Sequence, residues 1–439
     1  MRLGPSLQNR RVRLNPALAT LLLLLALNLL NYIDRYILPG EQPLIQHEFH
    51  ATDQQMGALT TAFFLTYMIV APLSGWLGDI LSRKPLIIMG AAIWSLATLA
   101  SAFVHSYESL FVRRALVGVG EATFGIFAPT VLADFYPDRE RNRILSVFYL
   151  AIPVGAALGY LAGGEMGSLW GWRAPFLICA IPGLAVAALY IPAGREPARG
   201  AFDNPATGMS HPRGVRHPRD GAIFAARAGT LSDFLRPFFA LLKNPAFLTA
   251  TFGLAQITFA LGGISAWVPT FLHRVNGLSV ANASLVVSAI TVVDGIAGTA
   301  VGGWIAQRWQ RTDHRALYYV SFWSAALALP CGVLVFFGPR VATIPALVAA
   351  EFFIFLNTGP LNTAIVNSVD GMIRATAISV NLFCIHFFGD TFSPQIIGAV
   401  SDRTNLSIGL GATLVSLAIA SIILRYGARF APRLAEPVS

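Results

Sequence analysis

Asn28, Asn31, Asp34 and Arg35 fall inside the first long apolar run of the chain, which opens with the leucines Leu21 to Leu25. The first three recur every third residue and Arg35 follows Asn28 by seven, so on a helix all four share one face. A charged side chain at the centre of a bilayer costs about 2.5–3.5 kcal/mol to insert. An acid beside a base at that depth is either a structural ion pair that welds helices or a site that binds and releases something. Arg114 and Glu121 repeat the signature in another apolar run, again seven residues apart and on one face. At 1.5 Å per residue, Asp34 and Glu121 both lie about 20 Å from the outer ends of their helices, near mid-membrane. The four charges sum to zero. Unpaired, they would cost on the order of 10–14 kcal/mol, so they must pair. A buried carboxylate beside an arginine is pulled two ways, because loss of water favours the protonated acid and the cation favours the carboxylate. An anion that occupies the arginine frees the carboxylate to take a proton. Asp34 and Glu121 are therefore the expected proton-coupling residues. Arg35 and Arg114, with Asn31, are the expected holders of an anionic group.

The elements that must position these residues are long apolar helices. The 439 residues are 55% hydrophobic and only 12% charged, far from the balance of a soluble globular protein. Apolar runs of membrane-spanning length recur throughout. The expected fold is an all-α polytopic membrane protein with twelve transmembrane helices. They are placed near 17–47, 55–78, 85–104, 107–135, 144–164, 175–191, 246–272, 281–305, 316–337, 341–367, 376–400 and 406–426. A bend is expected at Pro39-Gly40. Residues 1–193 form one six-helix bundle and 246–427 the other. Residues 194–245 are a cytoplasmic linker, and 428–439 a cytoplasmic tail. Leu231, Phe234, Leu235, Phe238, Phe239 and Leu242 recur at helical spacing and suggest a short interfacial helix at the linker's end.

The net charge of +9 follows from loop composition and implies no nucleic acid. Of 31 Lys and Arg, 24 lie before helix 1, in every second loop, or in the tail. The opposite loops hold Arg173, Arg274, Arg340 and Arg403, and Arg35, Arg113 and Arg114 sit within helices. By the positive-inside rule both termini are cytoplasmic, which places the chain as a multi-pass protein of the inner (plasma) membrane. The first helix is read as uncleaved, since no small-residue cleavage site follows its basic start. Cys179, Cys331 and Cys384 are scattered in apolar runs, so neither a disulfide nor a metal site is expected.

The two halves echo each other. Gly75-Trp76-Leu77-Gly78-Asp79 precedes Arg83-Lys84, and Gly303-Trp304-Ile305-Ala306-Gln307 precedes Arg308 and Arg311. Arg143 before Ser146-Val147 is echoed by Arg374 before Ser379-Val380. Internal duplication of this kind marks secondary transporters with a site at the repeat interface. Gly75-x-Leu77-Gly78-Asp79-x-x-x-Arg83-Lys84 resembles the loop 2–3 signature of the major facilitator superfamily. Arg114-x-x-x-Gly118-x-Gly120 is similar to its helix 4 motif. Pro153, Gly155, Gly159, Gly163 and Gly164 resemble its helix 5 glycine stripe. Within that superfamily, four stretches resemble the Spinster family: Asn31-Tyr32-Ile33-Asp34-Arg35, Gly118 to Ala122, Leu145 to Pro153, and Gly389-Asp390 with Ser393-Pro394. The chain departs from the pattern at Gln307, where the first half has Asp79, and at Asp294 within helix 8.

The resemblance implies two pseudo-symmetric six-helix bundles, and a gate latch made by Asp79, Arg83 and Asp134. It also implies an amphiphilic lipid substrate such as a lysophospholipid or sphingosine phosphate, with proton coupling; the expectation is alternating access by a monomer, driven by the proton gradient with no cofactor. In the second half Asn357 and Asn381, with Thr358 and Asn362, could line the cavity or serve as interhelical glue. His386 reads as packing, and the role of Asp390 stays open. A carrier of organic anions or sugar acids, or a multidrug exporter, is the alternative within the class. An enzyme or a receptor is disfavoured, since there is no GxSxG elbow, phosphate loop or paired metal ligands, and a receptor needs no duplication.

Overall fold

A computed structural model describes residues 15–198, 201, 241–369 and 373–432, with the side chains of Trp76, Asp79 and Arg374 among those left undescribed. The proposed interfacial helix from Leu231, most of the 194–245 linker, the end of the tail and the Asp79 side chain therefore lie outside the described residues. The described chain is all-helical. The first half contains α1 (Pro16–Phe49), α2 (Asp53–Ile80), α3 (Arg83–Ser101), α4 (Tyr107–Ala133), α5 (Asp138–Tyr149), α6 (Ala151–Leu161), α7 (Gly167–Trp170) and α8 (Arg173–Ala193). The second contains α9 (Pro245–Arg274), α10 (Val280–Gln310), α11 (Ala316–Phe337), α12 (Arg340–Phe355), α13 (Thr358–Asn367), α14 (Arg374–Ile385), α15 (Ser393–Arg403) and α16 (Leu406–Gly427).

Helix starts follow local chemistry. Asn15, Thr52, Ser106, Asn244, Ser279 and Asn405 each accept a backbone N–H of the first turn they precede. These caps satisfy donors that a helix start leaves without partners. Eleven stretches among the described residues are long and apolar enough to cross a membrane. The fifth runs through α5 and α6 and a wide π turn at Ala162–Met166 into α7, and the tenth runs through α12 and α13. The predicted crossing over 376–400 is broken instead. Gly389 leaves helical geometry (φ −108°, ψ −109°) inside a π turn at His386–Asp390, which separates α14 from α15. α1, by contrast, continues as one helical element through Pro39 and Pro43.

Two six-helix bundles result. In the first, α2 and α3 pack on α4, α3 and α1 pack on α8, and α1 packs on α6. The glycine stripe explains the last contact. A Cβ at Gly159 would stand 2.5 Å from the Ile33 carbonyl oxygen, and one at Gly155 would stand 2.6 Å from Tyr32 Cβ. Only glycine lets α6 lie this close to the turn of α1 that carries Asp34 and Arg35. Leu24, Leu27, Phe63, Trp94 and Phe124 form this bundle's core. In the second bundle α16 packs on α9 and α11, and α12 on α11. The bundles meet through α2 against α15 and α6 against α10.

Candidate functional site

Arg35, Arg114 and Glu121 come together inside the first bundle, where α1, α2 and α4 supply the side chains around them. Arg35 donates through Nε (3.1 Å) and Nη2 (2.7 Å) to Oε2 of Glu121, which is wholly buried. The Arg35 side chain keeps 15% of its surface accessible. Four aromatic rings surround its guanidinium: Tyr32 at 4.8 Å, Phe63 at 4.9 Å, Tyr67 at 5.7 Å and Phe64 at 5.9 Å from the ring centroids. Arg114 shares the Phe63 ring, at 5.2 Å. Its Nε is buried without a hydrogen-bond partner among the described residues, as are Oε1 of Glu121 and Nδ2 of Asn31. Cation–π contact in a desolvated setting contributes about 2 kcal/mol or more, so the rings hold two arginines where water cannot.

Asp34 stands apart from this pair. It is buried, and among the described residues its hydrogen bond comes from the Thr98 hydroxyl of α3 to Oδ2, at 3.4 Å. Its Oδ1 has no hydrogen-bond partner among the described residues. The four charges expected to pair mutually therefore divide: Arg35 takes Glu121, Arg114 takes a ring face, and Asp34 turns toward α3. Asn28, on the same helical face, donates to the Phe148 carbonyl and pins α1 to α5.

In the second bundle, Asn357 is occupied by packing. It is buried where α12 passes into α13, and its amide donates to Ser324 Oγ (3.4 Å) and to the Ile354 carbonyl. Asn381 is buried on α14 with Oδ1 unsatisfied. Thr358 and Asn362 are exposed on α13. His386, read from the sequence as packing, reaches across the seam. Its ring stacks on Phe64 (5.6 Å, 25°) and lies 5.9 Å from Tyr67, while Nδ1 meets Asp390 Oδ1 at 2.9 Å. The second bundle thus touches two of the rings that enclose Arg35. Sequence reasoning also missed two buried acids. Glu41 on α1 has neither oxygen hydrogen-bonded among the described residues, and Glu351 lies on α12. An acid inside an apolar run was the signal available for both.

Two of the three residues expected to form a latch, Arg83 and Asp134, meet at the end of the bundle that carries the chain termini. Arg83 Nη1 meets Asp134 Oδ2 at 2.7 Å. A third member, Glu196, was not foreseen. It accepts from Arg83 Nε (3.1 Å) and from the backbone N–H groups of Arg83 (2.9 Å) and Lys84 (3.1 Å), capping α3, which has no side-chain cap of its own. Burial pushes the Glu196 carboxyl up, but these donors and the Arg83 charge outweigh it and hold the group below the usual glutamate range. The sign follows from that lowering. The contribution is present above the unfolded value of about 4.3 and is lost as pH falls through the folded one. Wild-type protein should therefore lose its thermal-stability advantage over Glu196→Gln as pH drops below about 4.3; melting curves across pH 3–7 check it. An equal difference at every pH would remove the ionised carboxylate from the latch.

Several hydrogen bonds join the bundles in the half of the molecule away from the termini. Thr61 donates to the Thr391 carbonyl, Tyr160 to Ser265, Ser284 to Gly40 and Ser288 to Ala157. At the far end Arg274 Nη1 holds both oxygens of Asp53, at 2.9 and 3.0 Å, and Ser401 donates to the same carboxylate at 2.6 Å. Asp402 caps α2 through the backbone N–H groups of Asp53 and Gln54. The molecule is locked at this end. Arg274→Gln leaves Asp53 short of its charged partner, a loss of about 1–3 kcal/mol, which is roughly 5- to 150-fold in a two-state equilibrium. Spin labels at the exposed positions 103 and 341 should report a new long-distance population in that variant. An unchanged distribution would show that the lock is held elsewhere.

Comparison with known proteins agrees with this architecture. Residues 24–394 match the family description Major Facilitator Superfamily. Protein spinster homolog 1 of Homo sapiens is 34% identical over 403 residues, covering 86% of this chain and 71% of the relative. The chain belongs to the Spinster family of the major facilitator superfamily. A second relative, Sphingosine-1-phosphate transporter SPNS2 of Danio rerio, is 30% identical over 397 residues, covering 85% and 74% of the two chains. Among solved structures, a bacterial homologue of the human lysosomal transporter Spinster, inward-facing and occupied, superposes with a TM-score of 0.78. It covers 96% of this chain and 100% of that one at 21% identity. The D-xylose-proton symporter shares the fold, with a TM-score of 0.72 and 14% identity over 95% of this chain and 98% of that one. These are transporters and not enzymes, and the Spinster-family chain described here is a multi-pass secondary transporter.

Proposed function

We propose that this Spinster-family protein carries an amphiphilic anion, a lysophospholipid or sphingosine-phosphate-like lipid, by alternating access coupled to protons. The observation that carries the reading is the buried Arg35–Glu121 ion pair inside a ring of aromatics. A phosphate or carboxylate head competes with Glu121 for the Arg35 fork, and the displaced carboxylate takes a proton. Arg114 supplies the second positive charge, and Asp34, unpaired with either arginine, is the companion proton site. The rings that stack on Arg35 continue the site in apolar surface suited to a lipid tail. The name of the Danio rerio relative, a sphingosine-1-phosphate transporter, supports a substrate with an anionic head and a long tail. The protein acts as a monomer in the inner (plasma) membrane with both termini cytoplasmic, the orientation that loop charge favours. In that orientation the locked end faces outward.

The test is ligand-dependent thermal stability of purified protein against lysophosphatidylglycerol, sphingosine-1-phosphate and glucuronate. The two lipids should stabilise and the sugar acid should not. Stabilisation by glucuronate alone would replace the lipid reading with a sugar-acid carrier.

A further inference from the structure

The turn between α10 and α11 repeats the α2–α3 turn but lacks its latch. In the first half, Asp134 and Glu196 hold Arg83. In the second, Gln307 stands where the first has Asp79, and neither Arg308 nor Arg311 makes an ion pair among the described residues. The nearest acid, Asp313, turns instead to the Arg315 backbone N–H at 2.8 Å. Arg308, Arg311, Trp304, Trp309, Ile305 and Thr312 line a cavity of about 490 Å³. Trp309 is fixed by stacking on Tyr319 (5.7 Å, 22°), and the Arg425 guanidinium lies 5.5 Å from that same ring. The result is a basic cup on an aromatic floor at a helix end, the level at which tryptophan and arginine meet lipid headgroups. Trp304 is 64% exposed, and below it Val301, Ile296 and Val293 continue along α10 as exposed apolar surface.

We propose that this cup binds the headgroup of an anionic phospholipid, its phosphate between Arg308 and Arg311 and an acyl chain along the Trp304–Val293 stripe. The stripe favours a lipid over a soluble phosphate, which would have no use for it. This surface site lies apart from the Arg35–Glu121 pair, and the duplication supplies its logic. Freed of acidic partners, the second turn keeps its arginines for an external anion.

The experiment is native mass spectrometry of the full-length protein in detergent with palmitoyl-oleoyl phosphatidylglycerol or the matching phosphatidylcholine. Wild type should retain the phosphatidylglycerol preferentially. In an Arg308→Gln/Arg311→Gln variant that preference should fall roughly 25-fold, from ~1 kcal/mol per basic side chain beside an anionic surface. Arg308→Lys/Arg311→Lys should keep most of it, because the attraction is to charge. Equal melting temperatures of all three proteins in phosphatidylcholine establish that folding is not the cause. An unchanged preference in the glutamine variant would overturn the proposal. So would displacement of the lipid by glycerol phosphate at matched concentration, which would make the cup a site for a soluble anion.

Discussion

Arg35→Ala should abolish binding of anionic amphiphiles, and Arg35→Lys should weaken it roughly ten- to hundredfold, the range expected from a lost charge-assisted hydrogen bond of about 1.5–3 kcal/mol. Arg35 presents a planar fork whose Nε and Nη2 converge on one oxygen of Glu121, and its guanidinium lies against the Tyr32 and Phe63 rings. Lysine keeps the charge but lacks both the fork and the stacking plane. Alanine removes both the charge and the fork that would hold the head, and leaves Glu121 as a buried acid with no arginine in contact. The measurement is ligand-induced stabilisation by lysophosphatidylglycerol and sphingosine-1-phosphate. Affinity retained in both variants would move the head group to Arg114, whose Nε is buried and unsatisfied.

The features this prediction uses differ in how far the sequence exposed them. Asp34, Arg35, Arg114 and Glu121 stand out because an insertion cost attaches to any charge in an apolar run, and helical spacing assigns each pair a face. Which acid takes which arginine did not follow, because that depends on the rotation of α1 against α3 and α4. Asp34 faces Thr98 on α3 for this reason, although it is adjacent to Arg35 in sequence. The lock between Asp53 and Arg274 joins residues 221 apart, and at a helix end each looks like an ordinary interfacial charge. Glu196 was hidden for a different cause. It begins the polar linker, where a carboxylate is unremarked until a helix start without a cap is found beside it. The break at Gly389 was equally silent, since the run over 376–400 has the apolar content of a continuous crossing. The duplication of the Gly75 and Gly303 turns was legible, and it was the missing acid at Gln307 that pointed to a different use for the second.

Asp34→Asn and Glu121→Gln should separate binding from coupling, because the two acids have different partners. Asparagine at position 34 keeps an oxygen that can accept from Thr98 and leaves the Arg35–Glu121 pair intact. Its protein should fold, bind the anion and exchange it across a vesicle membrane. It should fail to concentrate ligand when a pH gradient is imposed, since the amide cannot load and release a proton. A membrane potential contributes about 2.3 kcal/mol per charge per 100 mV, and this variant loses the proton at this position that could draw on it. Glutamine at position 121 acts on the pair itself. Removing one member of a buried ion pair costs about 3–5 kcal/mol when the other charge is left uncompensated, and a bound anion restores the balance. Glu121→Gln should therefore melt lower than wild type without ligand and show a larger stabilisation with it. Reconstituted vesicles with and without the gradient, together with melting curves with and without sphingosine-1-phosphate, read both effects. If Asp34→Asn concentrates ligand with the wild-type pH dependence while Glu121→Gln does not, the coupling proton belongs to Glu121, and the anion and the proton compete directly at the Arg35 ion pair.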